Sequence, residues 1–162
     1  MSAWEASCRI QKVMQRDRYG CGVACAAMSA GQPYSVARKV FTDLGLAAKK
    51  RPFATNFAKL RLGLSALGVE SELRRWSNWD ALDGIGIVAV STSLGPEYSN
   101  WHWVVAERHS EFGIVLHDPD YDLPSFSLAS PEGVLSQPFA EYHPRKSWIR
   151  IAGQERSSVE LL

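Results

Sequence analysis

The chain has 162 residues, 46% of them apolar, and its charges nearly cancel to a net +1. This is enough for one domain with a buried core (1–162, core about 12–153); the charge balance excludes a nucleic-acid surface built on bulk basicity, and no stretch approaches the roughly 20 apolar residues of a membrane span. The polar, charged N-terminus MSAWEASCRIQKVMQRDR is not a signal peptide, and three cysteines cannot form a complete set of internal disulfides, so the expected compartment is the reducing cytoplasm, with secretion lacking a cleaved signal as the alternative.

The N-terminal segment, which carries Cys8, is expected to be mobile. From Gly22 to Ala30 the sequence is small and apolar and Gly31-Gln32-Pro33 stops it, which predicts a helix buried on most sides. A second helix, VARKVFTDL, is expected with Ser35 as its cap and Gly45 as its end, followed by a solvated loop, AAKKRPFAT. Thr55 or Asn56 starts a third, FAKLRLGLSAL, with Leu60, Leu64 and Leu67 on one face and Gly68 as the stop.

The period then changes. VESEL (69–73) is a short strand candidate, and SNWDAL a single turn capped by Ser77. IGIVAVST (85–92) is an apolar run of strand length, as a strand covered on both faces requires. The polar loop SLGPEYSN leads into HWVVAERH (102–109) and FGIVLHD (112–118), two strands joined by a short turn. DPDYDLPS reads as a loop, SPEGVLS as one helical turn, WIRIAG (148–153) as a last strand and QERSSVELL as a mobile tail. Helices first and an antiparallel sheet afterwards define an α+β domain.

The stretch QRDRYGCGVACAAM places Cys21 between two glycines at the first turn of the first of these helices. Unpaired backbone N–H groups and the positive end of the helix dipole favour thiolate there, and the same N–H groups can donate to an oxyanion. The amide of Gln15 could supply a second donor, and Gly20 and Gly22 would leave room for a substrate's main chain. Cys25, one turn further into the apolar helix, reads as core. A Cys21–Cys25 metal or redox pair is disfavoured, since both functions prefer tighter or repeated spacing.

A thiol nucleophile needs a base, and the base an orienting group. Of the four histidines, His102 opens a strand after a polar loop, and Asp118 ends the next strand. If the two strands pair so that facing residue numbers sum to about 220, His102 falls beside Asp118 at the open end of the hairpin. His117 alternates to the opposite face and is expected to be exposed; His109 lies near the turn and His143 precedes Pro144 in a loop. Trp101 and Trp103 flank His102 and point to the face away from it. Together with Tyr19 they are candidates either for core packing or for the wall of a narrow cleft.

Gln15-x5-Cys21-Gly22-x-Ala24-Cys25, then His102-Trp103-Val104-Val105, then Asp118-Pro119, resembles the bacteriocin-processing cysteine peptidases, papain-like domains that cut secretion leaders after a double glycine and often precede an ABC exporter. The likeness runs from about Met14 to Trp148. It implies a papain-like fold with N-terminal helices packed on a C-terminal antiparallel sheet. It also implies Cys21 as nucleophile, His102 as general base and acid, Asp118 as its orienting carboxylate and Gln15 in the oxyanion hole. Gly22, Tyr19, Trp101 and Trp103 are the substrate-contact candidates, and no metal or other cofactor is called for. Gly20 stands where the family usually has aspartate, and after Asp118-Pro119 the sequence continues DYDLPS where the family soon reaches a glycine. The absence of a span before Leu162 leads to the expectation of a standalone domain acting on a peptide or protein substrate, with a secretion or immunity partner. The alternatives are a deamidase or transpeptidase effector of the same chemistry and a catalytically idle peptide-binding domain.

Overall fold

The computed structural model describes residues 2–47, 49–92 and 99–153, without the side chains of Ser99 and Asn100; most of the loop SLGPEYSN and the tail QERSSVELL lie outside the described residues. Four helices, α1 (Ala3–Ser7), α2 (Cys21–Ala30), α3 (Tyr34–Asp43) and α4 (Phe57–Ala66), precede strands β1 (Ser71–Arg75), β2 (Ile85–Thr92), β3 (Ser99–His109), β4 (Gly113–His117), β5 (Ser125–Phe126) and β6 (Tyr142–Ile151). Short 3-10 turns occupy Trp79–Ala81 and Phe139–Glu141. Every pairing in the sheet is antiparallel, in the order β1-β6-β2-β3-β4-β5.

Strand β2 lies at the centre and is apolar from Ile85 to Val90 because both of its faces are covered there. Ile85, Ile87 and Ala89 join α2, α3 and α4 in one core, while Val88 and Val90 join Val104, Leu116, Tyr142 and Trp148 in a second. Trp76, Trp79 and Phe139 close that second face, with Trp76 and Trp79 edge to face at 4.7 Å. Helix α2 buries everything from Gly22 to Met28, which its small side chains permit, and it ends where Gly31 adopts φ 63°. Among the described residues no helix is long and apolar enough to cross a membrane.

Several local expectations are corrected. Helix α3 starts at Tyr34 after Pro33, so Ser35 lies inside it; Pro33 already holds the φ of −64° that suits a helix entry. Asn78, not Ser77, caps the turn at Trp79, accepting from Ala81 N–H at 3.1 Å. SPEGVLS is a β-turn, closed by Val134 N–H on Pro131 O, because Gly133 at φ 77° supplies the positive φ of a type II turn.

The largest correction is at the N-terminus. Cys8 and Ile10 are buried, and the N–H groups of Arg9 and Ile10 donate to Glu107 Oε2 and Oε1 at 2.9 and 3.1 Å. This segment covers β3 and β4, so His117 is buried rather than exposed and donates from Nε2 to Glu107 at 2.7 Å. His109 is likewise covered, with Ser7 Oγ 2.8 Å from its Nε2. An unanticipated cover, not a changed strand alternation, explains both histidines.

Helices α3 and α4 meet at Gly63, where an added methyl would collide with the ring of buried Phe41. Gly63→Ala is expected to lower the unfolding free energy by roughly 1–3 kcal/mol through overpacking. Urea unfolding, with a reduced midpoint and an unchanged slope, measures it; a midpoint like that of the wild type would show that the contact is not tight.

Candidate active site

Cys21 is the first residue of α2 and is half-buried, the only one of the three free thiols not fully buried. The turn before it is closed by Gly20 N–H donating to Asp17 O at 3.0 Å. Asp17 is held from outside by the Tyr34 hydroxyl and by Arg38 Nε at 3.0 Å. The first N–H groups of a helix have no intrahelical acceptor, so those at Cys21 are free to meet negative charge beside the sulfur.

The glycines on either side serve packing. A side chain at Gly20 would strike the Tyr34 hydroxyl; one at Gly22 would strike Thr55 and come within 3.5 Å of Trp103. Gly22 is buried, and the expectation that it leaves room for a substrate's backbone is corrected: Thr55 and Trp103 already fill that room.

His102, near the start of β3, faces Val90 of β2, and the β2–β3 register shifts just beyond, between Val90 and Thr92. Its Nε2 lies 2.6 Å from Asp118 Oδ1. Val105 faces His117 and His109 faces Gly113, two residues out of step with the expected pairing. By continuation Asp118 lies across from Val104, and it reaches His102 diagonally rather than directly.

Asp118 is fully buried and accepts three hydrogen bonds. Besides His102, Asp120 N–H donates to Oδ1 at 2.9 Å and the Tyr142 hydroxyl donates to Oδ2 at 2.8 Å. Burial alone would raise its pKa, but these donors and the positive charge on His102 hold it below the ordinary carboxylate value. For His102 burial favours the neutral ring. The bonds and charges of Asp118 and Cys21 outweigh that and raise its pKa from 6.5 to about 10. Cys21 is thus one of the groups whose proximity raises the pKa of the imidazole. With Asp118 on Nε2, Nδ1 is the ring atom left for the thiol.

Gln15 is tied to the site by its backbone, its N–H donating to Pro119 O at 2.9 Å. Its side-chain amide donates to Asp17 O at 3.1 Å and Arg18 O at 3.0 Å, while Oε1 is buried without a partner. Both amide hydrogens are therefore engaged by the turn that carries Cys21.

The aromatic candidates separate. Trp103 is core, 1% exposed, edge-on to Phe57 at 4.9 Å. Trp101 is 41% exposed, packs edge-on to Trp103 and Phe57, and carries the Arg145 guanidinium 4.6 Å above its ring. Tyr19 is half-buried, with the guanidinium groups of Arg18 and Arg51 5.4 and 5.0 Å from the centre of its ring. Tyr142 was not foreseen. It lies 24 residues from Asp118, on a strand that pairs with β2 and not with β4, so no local spacing joins the two.

No family model and no curated protein matches this chain. Solved structures do share its fold, two peptidase domains among them. One is a double glycine motif protease from an AMS/PCAT transporter in complex with the leader peptide. It has a TM-score of 0.55 and 16% identity over 91% of this chain and 93% of that one. The other is the peptidase domain of Streptococcus ComA, a bifunctional ABC transporter of a quorum-sensing pathway. It has a TM-score of 0.59 and 18% identity over 88% and 98%. The fold is therefore that of the papain-like cysteine peptidase domains, with helices on one face of an antiparallel sheet.

Two predictions follow from the carboxylate. A histidine whose folded pKa exceeds its unfolded one stabilises fully below the unfolded value, and loses that contribution as pH rises through the folded value. The stability advantage of wild type over His102→Ala should thus be largest near pH 6 and shrink between about pH 7 and pH 10. A constant difference across that range in urea titrations would contradict the pairing. Tyr142→Phe removes one donor to a buried carboxylate and is expected to cost about 1.5–3 kcal/mol in the same assay; a cost below about 0.5 kcal/mol would mean that Asp118 does not depend on it.

Proposed function

We propose that the chain is a cysteine peptidase acting through Cys21, His102 and Asp118. One observation carries this reading: a half-buried thiol at a helix N-terminus acts on the pKa of an imidazole whose Nε2 is held by a buried, three-fold hydrogen-bonded carboxylate. A carboxylate on Nε2 fixes the tautomer and orientation of the ring, leaving Nδ1 to take the thiol proton.

In the proposed cycle Cys21 Sγ attacks the scissile carbonyl carbon as its proton passes to His102. The carbonyl electrons move to oxygen, where the Cys21 backbone N–H and the Gln15 amide are the proposed donors. Gln15 takes that part by releasing one of the carbonyls of Asp17 and Arg18. His102 returns the proton to the leaving amine as the C–N bond breaks, giving a thioester. Water, deprotonated by His102, then hydrolyses it and frees the acid. No step calls on a metal or an organic cofactor.

The proposed substrate is a peptide or leader cut after Gly-Gly, the motif named for the first structural neighbour. Exposed Trp101, with Arg145 over it, and Tyr19, with two arginines near its ring, are the proposed substrate contacts. Trp103 supports that wall from the core. The same thioester passed to an amine would make a transpeptidase, and attack on a side-chain amide a deamidase. Mass spectrometry of the products separates these from hydrolysis. A cytoplasmic location and a secretion or immunity partner remain parts of this proposal.

Two outcomes test it. Cys21 should be alkylated by iodoacetamide near neutral pH at least tenfold faster than Cys8, which burial and then Glu107 push up to about 12, or fully buried Cys25. His102→Ala should slow that labelling, and equal rates at the three thiols would contradict the proposal. Peptides containing Gly-Gly before a varied residue should be cleaved by wild type. Cys21→Ala should abolish turnover, and Gln15→Ala should reduce kcat by roughly 10²–10³; cleavage surviving Cys21→Ala would overturn the nucleophile assignment.

A further inference from the structure

A second cluster of chemically capable side chains lies on β3, β4 and the N-terminal segment, and the proposed reaction does not use it. Cys8, Glu107 and His117 are 7, 1 and 3% exposed, and their sulfur, carboxylate oxygen and ring nitrogen all lie within 4.8 Å of one another. Glu107 alone would suffice to hold the backbone N–H groups of Arg9 and Ile10. The imidazole meets the same carboxylate. Thiol, imidazole and carboxylate give the site the sulfur, nitrogen and oxygen donor types of zinc centres.

We propose that Cys8, Glu107 and His117 form a binding site for a thiophilic divalent cation of the zinc class, distinct from the Cys21 site. Four-coordinate zinc with bonds of about 2.0–2.3 Å keeps its ligand atoms roughly 3.3–3.8 Å apart. His117 Nε2 and Glu107 Oε1 are now 2.7 Å apart, so the cation enters by widening that pair by under an ångström and replacing the hydrogen between them. On binding, the proton on His117 Nε2 is exchanged through water for one on Nδ1, so that the neutral ring offers Nε2 to the metal, and Cys8 releases its proton to solvent as a sulfur–metal bond forms. No electrons are transferred. The thiolate and the carboxylate together carry two negative charges, which balance a divalent cation in a place too buried to leave either sign unpaired.

The three protein ligands leave a fourth position open. Cys8 and His117 both line a cleft of about 540 Å³ whose apolar wall includes Trp4, Ile10 and Val134, with Asp122 on its rim. A water or a small anionic ligand can reach the metal from that cleft, which makes this an open centre rather than a closed structural one. The cleft wall is continuous with the Asp118 loop, since Lys12, on the same wall, is bonded to the carbonyl of Tyr121.

The test is carried out on the 162-residue chain carrying Cys21→Ala, so that metal held by Cys21 and His102 cannot be mistaken for this site, and it is independent of the peptidase proposal. Titration with zinc chloride by calorimetry should give one equivalent bound. Cobalt(II) should produce the near-ultraviolet charge-transfer band of a thiolate ligand and the visible bands of a four-coordinate ion. Cys8→Ser, which retains a donor toward Glu107, should abolish the thiolate band and weaken zinc binding at least tenfold, and His117→Gln should weaken it similarly with its circular dichroism unchanged. Absence of stoichiometric binding in the Cys21→Ala protein would overturn the assignment. So would binding and a cobalt spectrum unaffected by Cys8→Ser, which does not depend on His117→Gln folding.

Discussion

A carboxylate sealed from water cannot be left alone, and Asp118 is the point at which several parts of this chain meet that demand. Its three donors come from the start of β3, from its own loop and from the start of β6. The segment preceding Cys21 is anchored beside it, Gln15 N–H on Pro119 O and Lys12 on Tyr121 O. The bond that orients His102 thus also fixes the loop against which the cysteine-bearing turn is docked. The positions of the thiol, the imidazole and the acid are consequences of one buried charge.

Strand β4 then carries a second polar pair of opposite composition. Residues 117 and 118 are neighbours that alternate across the sheet, and each joins a partner on β3: His117 to Glu107 under the N-terminal segment, Asp118 to His102 beside α2 and Tyr142. One pair has its carboxylate on β3 and its imidazole on β4; the other has its imidazole on β3 and its carboxylate just past the end of β4. Glu107, like Asp118, is held below its ordinary pKa against the effect of burial, by His117 and two backbone N–H groups. Two buried anions, each satisfied by a histidine and by main-chain N–H, tie the ends of the sheet to the segments that precede it.

What could be read in the sequence divides along this line. Local patterns gave helices α2, α3 and α4, the central strand and the hairpin, because glycine stops, leucine spacing and apolar runs act within a few residues of themselves. The hairpin also brought His102 and Asp118 together, although the true register makes their contact diagonal. Tyr142, Glu107 and the burial of His117 were illegible, since each depends on segments brought together from distant parts of the chain. The N-terminal stretch looked like solvated text for the same reason: Cys8, Ile10 and the two N–H groups on Glu107 acquire meaning only when laid across β3 and β4. Gly20 and Gly22 were legible as room-making residues beside the thiol but not as packing residues, because Tyr34, Thr55 and Trp103 arrive from elsewhere.

The central claim is that sulfur, imidazole and carboxylate act as one unit on a peptide carbonyl. A peptide ending in Gly-Gly and carrying a vinyl ester in place of the scissile bond reports on it directly, because it is captured only by a thiolate seated where substrate binds. Intact-mass and fragment analysis should find a single adduct on Cys21, formed at least a hundredfold more slowly in His102→Ala and Asp118→Ala protein. No adduct on Cys21, or capture at the same rate in both variants, would contradict the account.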